Sequence, residues 1–309
     1  MPAYPQESKT KYIMQKNRKR KQQKPAETET EAKSAKIING IKQDPYPTHS
    51  RPTPEECRTI RDSLLALHGF PQEFAKYRKQ RQDCSIQIDC DAHCGVKSEP
   101  EESVLDGLIK TVLSQNTTEV NSLRAFANLK SAFPTWEDVL AAEFKCIENA
   151  IRCGGLAPTK ASCIKNILSC LIERKGKLCL EYLRDLSVDE IKAELSNFKG
   201  IGPKTVSCVL LFQLQQDDFP VDTHVFDIAK AIGWVPEVAD RNKTYLHLNQ
   251  RIPNELKFDL NCLLFTHGKL CRRCTKKGGG RQRKESRDNS CPLLNYCDNS
   301  SVKTINEVN

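Results

Sequence analysis

The segment Phe198-Lys199-Gly200-Ile201-Gly202-Pro203-Lys204-Thr205-Val206 holds the most informative pattern in the chain. Two glycines one residue apart permit a tight turn with positive φ and a close approach of the backbone to a ligand. Proline is typical of the first turn of a helix, where its missing amide has no partner to lose. The apolar spacing before the turn predicts a preceding helix through Ile191, Leu195 and Phe198. The segment therefore predicts a helix-hairpin-helix unit, with an ordinary interhelical turn as the competing interpretation.

The start of the second predicted helix suits an anionic ligand. Its first amides have no intrahelical partner and lie at the positive end of the helix dipole. Lys204 falls in this first turn, where its ammonium form is disfavoured, and burial in a pocket would favour the free amine further. Only the free amine is nucleophilic. Lys204 is therefore the candidate nucleophile, and the candidate phosphate contacts are Gly200, Ile201, Gly202 and Thr205.

A carboxylate follows in Phe219-Pro220-Val221-Asp222-Thr223-His224, eighteen residues after Lys204. One helix and a short turn fill that interval, so Asp222 can return to the same end of the hairpin. It can cap the helix that starts at Thr223. It can also activate an attacking group and stabilise positive charge at a sugar C1′, as carboxylates do in glycoside cleavage. Both roles are compatible if one oxygen caps and the other faces a pocket. We interpret His224 as structural.

The rest of the folded chain repeats helical spacing. Apolar residues recur three and four positions apart in three stripes: Leu105, Leu108, Ile109, Val112 and Leu113; Ile164, Ile167, Leu168, Leu171 and Ile172; and Val206, Val209, Leu210 and Leu214. Strand-like alternation is scarce. The pattern predicts an all-α fold.

Composition narrows the function. The 309 residues include 48 basic and 39 acidic side chains, a net charge of +9 that favours a polyanionic partner, with nucleic acid the first candidate. No apolar run approaches the ~18 residues of a membrane span, so we expect no membrane role. The 15 cysteines occur without a secretory pattern at the start, which indicates a reducing compartment and thiols that are core residues or metal ligands.

The ends of the chain are predicted to be disordered, at residues 1–54 and 298–309. The first contains the basic run Lys16-Asn17-Arg18-Lys19-Arg20-Lys21, which we interpret as a nuclear-import signal, with a solvated tail as the alternative. A glycine-rich basic segment at residues 276–284 is predicted to be a flexible loop.

Three motifs in order resemble the helix-hairpin-helix, Gly/Pro-rich, aspartate-containing superfamily of DNA glycosylases, in its endonuclease III-like branch. They are Leu113-Ser114-Gln115-Asn116-Thr117, Gly200-Ile201-Gly202-Pro203-Lys204-Thr205 and Val221-Asp222-Thr223-His224. The resemblance runs from about Ser103 to Cys297. Asp227 departs from it, because relatives often carry arginine there.

The resemblance implies a six-helix barrel at residues 96–217, a second helical domain from 55–95 and 218–297, and a DNA cleft between them. It implies Lys204 as the Schiff-base lysine and Asp222 as the essential aspartate. Gln115 would enter the space left by an extruded base, although an exposed helix-end residue is the alternative. We expect a monomer that binds double-stranded DNA containing a damaged or modified base.

Four cysteines near the end, Cys271, Cys274, Cys291 and Cys297, have the spacing C-x2-C-x16-C-x5-C. Relatives carry an iron–sulfur loop with the spacing C-x6-C-x2-C-x5-C, so the last interval is retained and the middle differs. Four thiolates suit a [4Fe–4S] cluster or tetrahedral zinc. We predict the iron–sulfur cluster, ahead of zinc and ahead of unligated cysteines. Cys84, Cys90 and Cys94, with His93, are interpreted as loop residues.

The sequence thus predicts a nuclear base-excision glycosylase with strand-cleaving lyase activity. A non-catalytic DNA-binding scaffold and a glycosylase that uses water activated by Asp222 are the alternatives. Oxidised pyrimidines are the default substrate of the branch, with mismatched thymine and methylated cytosine also open.

Overall fold

A computed structural model describes residues 44–86, 102–271, 274 and 291–297. Within these ranges the chain forms helices and no strand, so the all-α prediction is confirmed. The predictions for residues 16–21, 276–284 and 298–309 lie outside the described residues, as do those for Cys90, His93 and Cys94. The interpretation of Cys84 as a loop residue is wrong, because it lies in the helix Ala75–Ile86.

The helices are short and follow one another closely. In chain order they are α1 (Pro54–His68), α2 (Ala75–Ile86), α3 (Val104–Ser114), α4 (Glu119–Ala132), α5 (Trp136–Ala141), α6 (Phe144–Ala150), α7 (Ala157–Lys175), α8 (Val188–Ser196), α9 (Pro203–Cys208), α10 (Thr223–Ala231), α11 (Arg241–Arg251), α12 (Asn254–Leu270) and α13 (Leu294–Cys297). Short 3₁₀ turns occupy Gln72–Phe74, Arg152–Gly154 and Glu181–Asp185, and a π-turn occupies Val209–Gln213. No helix among the described residues combines the length and apolar character that a membrane span needs.

Local sequence explains where many helices begin. Thr53, Thr135 and Ser187 accept a hydrogen bond from the third residue of α1, α5 and α8, and an acidic side chain at that third residue bonds back to the cap amide. This reciprocal arrangement satisfies two amides that the helix leaves open. Single side-chain caps at Ser103 and Thr118 start α3 and α4 in the same way.

One hydrophobic core gathers residues from α3 to the π-turn, including Leu108, Val112, Ile164, Leu168 and Val209, all fully buried. The three apolar stripes seen in the sequence are the inward faces of α3, of α7, and of α9 together with the π-turn that continues it. Ile172 is the exception, because it is 40% exposed. Leu171 takes the inward position in that turn, and the next residue lies about 100° round the helix.

A second core gathers residues from both ends of the described chain. Ile60 and Leu64 of α1 pack with Trp234 and with Leu263 of α12, and all four are fully buried. A smaller aromatic cluster around Phe212 and Phe258 also includes Phe74. The membership of the two cores parallels the two predicted domains, whose boundaries stay a prediction.

Residues 44–54 differ from the prediction that they are disordered. Asp44 Oδ1 bonds to Nδ1 of the buried His247 at 2.7 Å, and Asp44 Oδ2 pairs with Arg251 at 3.2 Å. The Arg51 carbonyl bonds to Nε2 of His247 at 2.7 Å, and Tyr46 packs on the second core. The partners lie about 200 residues away in α11, so no local pattern in the sequence reports them.

Candidate active site and candidate metal centre

The predicted helix-hairpin-helix is present as α8, a turn at residues 197–202, and α9. Pro203 is the first residue of α9, and Gly202 is its N-cap. The two glycines have different conformations. Gly200 has φ +93°, whereas Gly202 has φ −96°, which any residue can adopt. The prediction of positive φ therefore holds for Gly200 alone.

The surroundings of the two glycines also differ. A Cβ at Gly200 would lie 2.9 Å from Cys163 Sγ, so a side chain there would force Cys163 to move. A Cβ at Gly202 would meet no atom within 4 Å. Neither backbone strain nor internal packing requires glycine at position 202. With glycine at this N-cap, the free amides of α9 are open to a close approach from outside the protein.

Lys204 lies in the first turn of α9 with its side chain exposed. Among the described residues it has no salt-bridge partner, so its amine is not held by a carboxylate. The N-cap has no side chain that could occupy the amides beside it. Because Lys204 is exposed, the exclusion of water that would favour its free amine would have to come from a bound ligand.

Asp222 is the N-cap of α10, and its Oδ1 accepts a 2.8 Å hydrogen bond from the Val225 amide. The predicted capping role is confirmed. Oδ2 accepts no hydrogen bond from the described residues. Burial raises the pKa of the Cys208 thiol, the Lys204 charge lowers it, and the Asp222 charge raises it. Both charges thus act on one thiol of α9, as expected if Asp222 and Lys204 face the same region, and the direct pairing of the two side chains stays a prediction.

Gln115 is the C-cap of α3, and its Nε2 donates a 3.1 Å hydrogen bond to Thr205 Oγ1. Position 115 is thus tied to the residue after Lys204, across 90 residues of chain. Thr205 is 4% exposed and Ile201 is 8% exposed. Of the predicted DNA contacts, these two side chains are buried and support the hairpin instead of presenting a surface. Gly200 and Lys199 are exposed at its tip.

Lys160 is a buried lysine in α7 for which the sequence predicts no role in the site. It is 2% exposed, and its Nζ donates to the carbonyls of Leu113 at 2.7 Å and Gly154 at 2.8 Å. Burial lowers the pKa of this amine. Leu113 belongs to the last turn of α3, so Lys160 fixes the end of the helix that presents Gln115.

An open groove of about 440 Å³ adjoins the hairpin. Gln115, Lys199 and Gly200 line one side and the first turns of α7 line the other. Lys204 and Asp222 are not among its lining residues, so the groove is not the space in which those two side chains would meet a substrate.

Asp218 is a buried acid that the sequence does not predict. Asp218 is 2% exposed, and it accepts hydrogen bonds from the Ser207 hydroxyl of α9 and from Tyr245 OH of α11 at 2.9 Å. Lys192 of α8 pairs with it at 3.0 Å. One carboxylate therefore connects both helices of the hairpin to α11. Asp217 precedes it in the sequence, and nothing local indicates which of the two is buried.

Three of the four predicted cysteine ligands come together near the end of α12, and the fourth partner is a histidine. The ligand atoms of His267, Cys271, Cys274 and Cys291 all lie within 4.8 Å of one another. Cys297 is outside this group, and its Sγ donates to the Leu293 carbonyl at 3.3 Å. The structure thus differs from the prediction at Cys297. A signal for His267 was present, because it precedes Cys271 by one helical turn.

A [4Fe–4S] cluster, which the resemblance implies, takes four thiolates. The donor set found here is three thiolates and one imidazole, gathered closely enough to meet one ion. The side chains as they lie do not fit the predicted cluster.

Comparisons with known proteins agree with this architecture. The model of the HhH-GPD superfamily of base excision DNA repair proteins matches residues 109–254. A protein of Arabidopsis thaliana named as a putative DNA glycosylase is 62% identical over 287 residues, covering 91% of this chain and 97% of that protein. The DNA glycosylase/AP lyase ROS1 of Arabidopsis thaliana is 31% identical over 179 residues, or 52% of this chain and 12% of ROS1.

Among solved structures, a trapped covalent intermediate of endonuclease III with DNA matches with a TM-score of 0.56 at 23% identity, over 80% of this chain and 96% of that one. At this identity the likeness concerns the fold. The sequence relationship rests on the 62% identical protein, which is matched over nearly its whole length. The chain therefore belongs to the HhH-GPD superfamily of base excision DNA repair glycosylases.

Proposed function

We propose that the chain removes a damaged or modified base from double-stranded DNA and then cleaves the strand by β-elimination. Lys204 is the nucleophile and Asp222 is its carboxylate partner. The proposal is supported by an exposed lysine at the start of α9 that has no salt bridge to the described residues, and by the Asp222 carboxylate, whose charge acts on Cys208 of the same helix.

The chemistry begins with a base outside the duplex, because the sugar C1′ cannot be reached inside the stack. The Lys204 amine gives its lone pair to C1′ as the bond from C1′ to the base breaks, and the base leaves with a proton. The sugar ring opens to give an imine between Nζ and C1′, with O4′ as a hydroxyl. Loss of a proton from C2′ then expels the 3′ phosphate, and water releases Lys204 from the imine.

Asp222 supports this reaction electrostatically. Positive charge develops at C1′ as the base departs, and a nearby carboxylate stabilises it. Oδ1 is committed to the Val225 amide, which fixes the carboxylate in place, while Oδ2 accepts no hydrogen bond from the described residues. DNA that covers the exposed Lys204 would exclude water. In the lower dielectric, the Asp222 carboxylate would stabilise the positive charge at C1′ more strongly.

DNA binding is proposed to use the hairpin. The open amides of α9 and the absence of a side chain at Gly202 suit a backbone phosphate. Lys199 is an exposed cation at the tip. We expect Gln115, whose amide donates to Thr205 in the free protein, to enter the gap left by the flipped base.

The test is borohydride trapping with duplex oligonucleotides that carry different lesions. Reduction of the imine should give a covalent protein–DNA adduct for wild type and none for Lys204→Ala. Lys199→Ala is the matched control, because it removes an exposed cation from the same hairpin. It should keep trapping while weakening binding in a salt-dependent way.

Two results would contradict the proposal in different ways. Base release without any adduct would indicate a glycosylase that uses water activated by Asp222. Salt-sensitive binding to lesions without turnover would indicate a non-catalytic scaffold. The lesion panel also identifies the base, for which oxidised pyrimidines are our expectation and mismatched thymine and methylated cytosine are the alternatives.

Nuclear localisation is proposed from the basic run at residues 16–21, which is typical of import signals. A fluorescent fusion of the full chain should accumulate in nuclei. Replacing the basic residues of this run by alanine should spread the signal through the cell, and unchanged nuclear signal would contradict the assignment.

A further inference from the structure

The ligand atoms of four residues, His267, Cys271, Cys274 and Cys291, lie about as far apart as the corners of a single tetrahedron around one ion. Zinc binds thiolate sulfur at ~2.3 Å and imidazole nitrogen at ~2.0–2.1 Å. A tetrahedron with these bonds has edges of about 3.8 Å between two sulfurs and about 3.6 Å between sulfur and nitrogen. Cys271 Sγ and Cys274 Sγ lie 3.6 Å apart, and His267 Nε2 lies 3.1 Å from Cys274 Sγ and 3.5 Å from Cys291 Sγ.

We propose that His267, Cys271, Cys274 and Cys291 form a mononuclear zinc site in which an imidazole replaces the fourth thiolate of an iron–sulfur loop. In a [4Fe–4S] cluster each cysteine binds a different iron on the outside of a cube of irons and sulfides. Its thiolates are therefore held apart by the whole body of the cluster. Four ligand atoms that all lie within 4.8 Å of one another enclose one ion.

The imidazole is oriented for this role by a second histidine. His267 Nδ1 lies 2.8 Å from Nε2 of His68, the last residue of α1. When Nδ1 carries the ring proton and donates it to His68, the lone pair of Nε2 is directed at the thiols. Metal-binding histidines commonly have their second ring nitrogen held in this way, which fixes the tautomer and the ring plane.

Burial and chain connectivity indicate a structural site. His267 is fully buried, Cys274 is 2% exposed and Cys291 is 8% exposed. Four protein ligands complete a tetrahedron, so no position is open to substrate, as is typical of structural zinc. The ion would join α12 to the segment that contains Cys291, and through His68 it would contact α1. Zinc binding here is independent of the proposed glycosylase chemistry.

The experiment measures metal in the full-length chain, purified without oxygen from cells supplied with both iron and zinc. One zinc per chain, without acid-labile sulfide and without the visible absorption of an iron–sulfur cluster, is the expected result. Iron and sulfide in equal amounts would overturn the proposal, as would a metal-free protein that takes up no zinc. Neither measurement depends on DNA or on activity.

Two cysteine variants separate the possible ligand sets. Cys297→Ser should keep one zinc per chain, because the proposed set does not contain Cys297. Cys271→Ser should lower zinc affinity at least tenfold, measured by competition with a chromophoric chelator. Loss of zinc from Cys297→Ser, or retention at full affinity by Cys271→Ser, would refute the assignment.

A cobalt-substituted protein and a pair of histidine variants test the nitrogen ligand. The cobalt spectrum of wild type should show tetrahedral coordination by three thiolates and one nitrogen, and a four-thiolate spectrum would exclude His267. His68→Ala should weaken zinc affinity about tenfold through loss of the orienting hydrogen bond. The matched control is His49→Ala, which removes a histidine bonded to the Gly233 carbonyl. It should leave affinity unchanged, and equal affinities in the two variants would contradict the role of His68.

Discussion

Replacement of Tyr245 by phenylalanine tests whether the buried Asp218 holds the hairpin against α11. The change deletes the hydroxyl that donates to Asp218 Oδ2 at 2.9 Å and keeps the ring in the second core. Ser207 and Lys192 still contact the carboxylate, so its charge stays partly compensated. A hydrogen bond to a charged, buried acceptor contributes about 1.5–3 kcal/mol, and we expect a loss of that size in the free energy of unfolding.

The same variant should have a pH signature. Burial and the Asp218 charge raise the pKa of Tyr245 above its ordinary value. In the unfolded chain the phenol ionises near pH 10, while the folded chain keeps the proton. The free energy of unfolding of wild type therefore exceeds that of Tyr245→Phe by the full amount below pH 10, and this difference decreases above pH 10. At pH 10.5 the decrease should be about 0.8 kcal/mol.

Denaturant unfolding of wild type and variant between pH 8 and pH 10.5 measures both effects. The matched control is Tyr77→Phe, because Tyr77 OH accepts a 3.3 Å hydrogen bond from the neutral amide of Gln213. At pH 8, Tyr77→Phe should lower the free energy of unfolding by about 0.5–1.5 kcal/mol. A cost for Tyr245→Phe no larger than that of the control, or one that stays constant with pH, would refute the assigned role of Asp218.

Three further predictions concern the hairpin and its supports. Gly202→Ala should change stability by less than about 1 kcal/mol yet weaken DNA binding, whereas Gly200→Ala should cost about 1–3 kcal/mol because its φ is positive and its Cβ space is filled. Lys160→Met should cost about 1–3 kcal/mol, since two buried carbonyls lose their donor. Asp222→Asn should keep the α10 cap, because asparagine caps as well as aspartate, but lower the rate of base release about 10²–10³-fold.

Thermal or denaturant unfolding, DNA-binding titration and single-turnover base release are the measurements. Equal stability costs at positions 200 and 202 would contradict the distinction drawn between the two glycines. A Lys160→Met protein as stable as wild type would contradict the role of Lys160. It would mean that water donates to the Leu113 and Gly154 carbonyls in place of the ammonium group. Full activity of Asp222→Asn would show that base release does not need the carboxylate charge, and capping of α10 would then be the role of residue 222.

Several features could be predicted from the sequence because they depend on interactions between residues that are close together in the chain. Apolar residues at helical spacing produce amphipathic helices wherever they occur, so the stripes of α3, α7 and α9 identified the all-α fold. Pro203 and Asp222 act within one helical turn, and they predicted the starts of α9 and α10. The three ordered motifs named the family and the pair Lys204 and Asp222, because each lies in a short contiguous segment.

Contacts between distant segments were decided only by the tertiary structure. Residues 44–54 are ordered because His247 and Arg251 supply their partners, and Asp218 is buried because α8, α9 and α11 meet around it. The spacing of four cysteines suggested four thiolate ligands, whereas packing of α12 turns His267 toward the thiols and leaves Cys297 aside. The sequence shows which side chains could be metal ligands. The directions in which those side chains point depend on how the helices pack.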